Sequence, residues 1–191
     1  MGGMGKTALA REAAFWWLHT RRFEQAVFCS FEQQAGAERV IQLLGQALEG
    51  DEFSAHSTEE QWNRAVAGFR QQRVLLVWDN FESTLPQFQE GEDPDSPLVF
   101  SSAERTRLLG LYRELTEGNP RGRLLVTCRP EETGLPGIKE VPLEGLARPD
   151  SLHLLAAVLD QKSIDINQPG YEREAIDDLL GDFQERLSPP P

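Results

Sequence analysis

Val74-Leu75-Leu76-Val77-Trp78 is an unbroken apolar run. A strand with one wet face alternates apolar and polar side chains, whereas a continuous run needs cover on both faces, as in a parallel sheet between helices. Leu124-Leu125-Val126-Thr127-Cys128 is a second such run, and Ala26-Val27-Phe28-Cys29-Ser30-Phe31 is a third strand candidate. Ile138 to Leu143 predicts a shorter strand. The intervals carry helical spacing. Lys6 to Phe23 predicts a helix whose broad apolar side holds Ala8, Leu9, Ala13, Phe15, Trp16 and Leu18. Further helices are expected over Glu38 to Leu48, from a Ser57-Thr58-Glu59-Glu60 cap to about Phe69, and over Ser102 to Glu117. Two more are expected from Pro149 to about Asp160 and over Tyr171 to Leu187. Gly50 to Ser57 and the acidic stretch Pro86 to Pro97 read as loops. Strands alternating with helices imply an α/β fold, three-layer α/β/α, around a parallel sheet.

The first predicted helix opens directly from Gly2-Gly3-Met4-Gly5-Lys6-Thr7. This is most of the phosphate-binding pattern Gly-x-x-x-x-Gly-Lys-Ser/Thr. Glycines permit the tight turn and let backbone N–H groups converge on phosphate oxygens, while the helix adds its positive N-terminal end. Lys6 would reach the β- and γ-phosphates and the Thr7 hydroxyl would bind Mg²⁺. Gly2, Gly3, Met4, Gly5, Lys6, Thr7 and Ala8 are thus the candidate nucleotide-binding residues. The first glycine of the pattern would fall before Met1, and so would the strand that delivers the chain into the loop.

The run from Val74 ends in Asp79-Asn80-Phe81-Glu82. A hydrophobic strand ending in Asp is the Walker B arrangement, expected beside the strand that enters the phosphate loop, with Asp79 aimed at the metal. Lys6 and Asp79 are 73 positions apart (79 − 6), room for the elements between them. The alternative is a strand followed by an Asx turn at Asp79-Asn80. Asn80 stands where many such ATPases carry a second acid, and it cannot take a proton. Glu82 is the nearest carboxylate and the candidate helper in catalysis; otherwise it is a structural or solvated acid. Arg129 follows the strand from Leu124. Ligands of parallel sheets sit beyond the carboxyl ends of strands, so Arg129 is a candidate γ-phosphate sensor. Its plainer alternative is a surface Arg paired with Glu131 or Glu132.

Net charge is -12, from 31 acidic and 19 basic residues. That speaks against a nucleic-acid groove or an anionic membrane as partner, both of which require clustered Lys and Arg. It does not exclude nucleotide, which needs backbone N–H groups, one Lys and Mg²⁺. No stretch approaches the ~20 apolar residues of a membrane span, and no leader pattern opens the chain, so a cytoplasmic setting is the default expectation. Cys29 and Cys128 are too few for a disulfide framework or a zinc site and read as buried free thiols. Trp16, Trp17, Trp62 and Trp78 sit at core-like positions, and His19, His56 and His153 lack metal-ligand spacing.

Together these segments resemble the signal-transduction ATPases of the STAND class, which includes the NB-ARC and apoptotic-ATPase regulators. The matching stretches are Gly2 to Ala10, Val74 to Glu82, Leu124 to Pro130, and Val141-Pro142-Leu143-Glu144-Gly145-Leu146. The resemblance covers roughly residues 2–160 and implies a P-loop NTPase domain there, with 161–191 the start of a helical extension. It implies an ATP/ADP switch with Mg²⁺, slow hydrolysis, and control of self-association alongside effector or repeat domains. In that class the phosphate-loop strand lies between the third-motif strand and the last one. The pattern breaks off at both ends here, so the chain is expected to be a fragment. The rival expectations are a nucleotide-binding module without turnover and a remnant that does not fold alone. ATP is favoured over GTP because no guanine-reading Asn-Lys-x-Asp stretch occurs.

Overall fold

The computed structural model describes residues 5–32, 36–88, 100–129, 133–143, 146–147, 149–150 and 153. The expectations for Gly2, Gly3 and Met4, for 89–97 of the acidic stretch, for Glu131 and Glu132 and for 161–191 lie outside them. The chain divides into two compact units: Gly5–Glu140, and a second made of 1–4 with 141–191. In the second, Pro149, Asp150 and His153 are helical, within the predicted helix. The site described below lies in the first unit.

Its elements run α1 (Lys6–His19), β1 (Gln25–Ser30), α2 (Ala37–Glu49), α3 (Thr58–Gln71), β2 (Val74–Asp79), α4 (Ser102–Thr116) and β3 (Arg123–Val126). Short 3₁₀ turns occupy Gly50–Ala55, Phe81–Thr84 and Pro86–Phe88. The helices start where the chemistry of capping allows. Ser57 and Glu60 form the expected capping box at α3. Ser101 and Glu104 form an equivalent box at α4, satisfying donors the first turn would otherwise leave unpaired.

The three strands are parallel in the order β1-β2-β3. All six residues of β2 are buried, as a two-sided apolar run demands. Its side chains alternate between two cores. Val74, Leu76 and Trp78 join the larger one with Val40, Ile41 and Leu44 of α2, Ala65 and Phe69 of α3, and Leu108, Leu111 and Leu115 of α4. Leu75 and Val77 join the smaller one with Ala10 and Ala14 of α1 and with Phe23. Helices therefore cover both faces of the sheet.

Four expectations need correction. Both edges of β2 are taken, by β1 and β3, so β2 has no edge left for a strand entering the phosphate loop. Residues 138–143 form no strand; they have no ladder partner among the described residues, and Pro142 has no N–H to donate. Helix α1 does not bury the predicted side: Leu9, Phe15 and Trp16 are exposed, Trp16 by 61%. The buried positions are Ala10 and Ala14, with Trp17 and Leu18 packed beside them. Apolar residues lie almost all round this helix, and the alanine stripe lets the backbone approach the sheet most closely. Finally, Cys29 is buried but Cys128 is only half-buried.

Candidate functional site

Side-chain alternation sends Asp79, like Leu75 and Val77, to the face of the sheet covered by α1. The first turn of α1 is at hand there. Gly5 precedes it with φ 80°, a left-handed conformation that glycine adopts without strain. Leu9 N–H donates to the Gly5 carbonyl at 2.8 Å, closing the first turn. That turn carries Thr7, whose hydroxyl reaches Oδ1 of Asp79 at 2.9 Å and Oδ2 at 3.0 Å. The phosphate-loop threonine and the strand-end aspartate, 72 positions apart, are thus in contact.

A third side chain completes this cluster. Thr127 lies just past β3, and its hydroxyl donates to Asp79 Oδ1 at 2.7 Å. The Thr127 hydroxyl oxygen in turn accepts from the backbone N–H of Asn80 at 3.1 Å. The Thr127 N–H donates to the Trp78 carbonyl at 2.9 Å, and its carbonyl accepts from Phe81 N–H at 3.0 Å. The chain just beyond β2 is therefore stitched to the chain just beyond β3. Asn80 makes the turn at φ 57°, a left-handed conformation that Asn tolerates better than most residues. That gives a backbone reason for an Asn after the strand-end Asp. The chain turns at Asn80, and the bonds seen at the Asp79 carboxylate come from the hydroxyls of Thr7 and Thr127 rather than from a backbone N–H of the turn.

Glu82 and Arg129 meet each other. Glu82 is buried on the 3₁₀ turn after Asn80, and its Oε1 lies 2.8 Å from Nε of the half-exposed Arg129. The solvated alternative for Glu82 is excluded by this burial. Its second oxygen, Oε2, is buried with no hydrogen-bond partner among the described residues. The neighbouring Cys128 registers the Glu82 charge. Burial, and secondarily the Glu82 charge, push its thiol up to about 11, opposed by a backbone hydrogen bond at Arg129 and by the charge of Lys6. Glu82 and Arg129 therefore sit together beyond the carboxyl ends of β2 and β3.

Asp79 is 2% exposed, and among the described residues its carboxylate is met by neutral hydroxyls rather than by a cation. A buried carboxylate without a counter-charge is costly. A cation bound beside it would remove that cost. Among the described residues no three His, Cys, Asp or Glu side chains gather as a cage. One carboxylate plus one hydroxyl is the donor set of a Mg²⁺ that brings its own waters and phosphate oxygens. The residues present fit that ion.

Thr127 was missed from sequence. Its signal was a hydroxyl residue one step beyond the apolar core of a strand, at a place that only the pairing of β2 with β3 reveals.

A family model for the NACHT domain matches residues 1–162. The chain belongs to the NACHT family. It is therefore a P-loop NTPase of the STAND class, a nucleoside triphosphatase domain of signalling proteins. Comparison with curated proteins and with solved structures gives no match. Among the described residues of this NACHT domain, no helix is long and apolar enough to cross a membrane.

Proposed function

We propose that this NACHT domain binds ATP or ADP with Mg²⁺ at the carboxyl ends of its strands and hydrolyses ATP slowly, as a switch. The observation that carries this reading is the Thr7–Asp79 contact. Two residues far apart in sequence, each expected to hold the same ion, lie within hydrogen-bond distance. Lys6 and the backbone of Gly5 and Thr7 would hold phosphate, Thr7 and Asp79 would hold Mg²⁺, and the ion would supply charge neutralisation for the transferring phosphoryl group. Arg129 would sense the γ-phosphate, drawn from its ion pair with Glu82 by a more highly charged partner. Self-association or effector domains in the parent protein would read the outcome. In the full-length protein, Lys6→Ala should abolish Mg-ATP binding measured by calorimetry; unchanged affinity would refute the site.

A second reading is a nucleotide-binding switch without turnover. Two observations favour it: Asn80 has no proton-accepting carboxylate, and Glu82 is engaged with Arg129. A phosphate-release assay separates the two, because a pure switch binds ATP and releases nothing above background.

A further inference from the structure

We infer that Thr127 is a positioning residue for the metal site: it orients the Asp79 carboxylate and so sets the affinity for Mg²⁺. The inference rests on the proposed Mg-nucleotide reading of the Thr7–Asp79 contact and adds a residue to it.

The argument starts from register. Along the ladder, Val77 pairs with Leu125 and Trp78 with Val126. The offset is 48 positions (125 − 77, 126 − 78), and the same offset carries Asp79 to Thr127. One step past the last paired residues, the backbone spacing of a parallel sheet sets the two side chains side by side on the α1 face. Leu125, two residues before Thr127, packs into the smaller core on that face. The placement of Thr127 is thus built into the sheet and does not depend on a loop.

Hydrogen-bond counting then gives the hydroxyl a direction. Thr127 Oγ1 accepts from Asn80 N–H at 3.1 Å. An oxygen already accepting from that side turns its single proton the other way, to Asp79 Oδ1 at 2.7 Å. The carboxylate receives this bond and those from Thr7. Thr7 has one proton to share between two oxygens, so it cannot fix both. Thr127 holds Oδ1 independently of Thr7 and thereby fixes the plane of the carboxylate. A metal held on the Thr7 lone pairs would leave Thr127 as the hydroxyl that holds Asp79 from outside the ion's own ligands. Outer-shell partners of this kind orient ligating carboxylates, and their loss commonly costs 10–100-fold in metal affinity.

The inference separates Thr127 from a residue that only supports the fold. Thr127→Val keeps the shape and removes the hydroxyl; Thr127→Ser keeps the hydroxyl and removes a methyl group. In the full-length protein, Mn²⁺ is titrated by electron paramagnetic resonance in the presence of ADP, and ADP affinity is measured separately with excess chelator. Thr127→Val should weaken Mn²⁺ by ~10-fold or more while chelator-state ADP affinity stays within about 2-fold, and Thr127→Ser should restore wild-type Mn²⁺ affinity. Should the valine variant not fold, Thr127→Cys, with only a weak S–H donor, carries the same test. Wild-type Mn²⁺ affinity in the valine or cysteine variant, with the wild type itself binding, overturns the inference alone. Equal loss of ADP affinity in chelator also overturns it, because that is the mark of a structural role. If the wild type shows no ADP-dependent Mn²⁺ binding, the reading of the site fails and the inference with it.

Discussion

The two faces of the sheet differ more than its strands do. One face, under α2, α3 and α4, carries most of the core: Trp78 stacks on Phe81 at 5.7 Å between centroids, and Phe31 meets both rings edge-on. The other face, under α1, has a small core centred on Ala10, Ala14, Leu75 and Val77. Yet it is this lightly packed face that receives Asp79, Thr7 and Thr127. Strand β2 feeds both, sending even-numbered side chains to one and odd-numbered side chains to the other. Large rings suit the face that only has to be stable. Small residues suit the face where a helix N-terminus must come close to a strand end.

The sharpest way to break this contrast is to remove a ring from the heavy face. Trp78→Ala should cost about 3–5 kcal/mol, read as a shift in the denaturation midpoint, and an effect below 1 kcal/mol would contradict the division of labour. Overfilling is the milder version. A methyl group at Gly45 would run into the Phe53 ring, so Gly45→Ala should destabilise by about 1–3 kcal/mol. A pH series probes burial of the sheet itself. The Cys29 thiol, buried on β1, is pushed up to about 11 by desolvation. The unfolded chain therefore releases this proton first as pH rises. Its contribution is intact below about pH 9 and is lost through about pH 11, about 2–3 kcal/mol in all. Cys29→Ala should flatten the alkaline fall in melting temperature relative to wild type; an identical slope would show that the thiol is not desolvated. The smallest effect belongs to the far side of α1. Trp16→Ser replaces an exposed ring and should change stability by no more than about 0.5 kcal/mol; a loss of several kcal/mol would mean that this surface is covered.

Much of the fold could be read from the chain because its signals are local. An apolar run such as Val74 to Trp78 admits few environments, and the Ser57–Glu60 box announces a helix start in four letters. The Thr7 and Asp79 motifs likewise pointed to two side chains that meet in the fold. What escaped was relational. Which stripe of α1 faces inward depends on how closely the helix can approach the sheet, and composition alone favoured the bulkier stripe with Phe15 and Trp16. Thr127 acquires meaning only from the strand opposite, and the Glu82–Arg129 pair joins residues 47 positions apart (129 − 82). Position 80 was read chemically, as a missing acid, where the backbone shows a conformational demand for a residue at ease with positive φ.

The central place of β2 has a consequence for how the site opens. It is flanked by a strand on each side and buried along its whole length, so its amides should be among the last in this unit to exchange with deuterium. Asp79 rides on the end of that slowest-opening segment. Glu82 and Arg129 lie beyond the strand ends, on a short 3₁₀ turn and on the chain past β3, and should exchange sooner. The Asp79 carboxylate would then stay in place through fluctuations that release the arginine pair, so that, on the proposed reading, the part of the site meant for the terminal phosphate can rearrange while the part meant for the metal stands still.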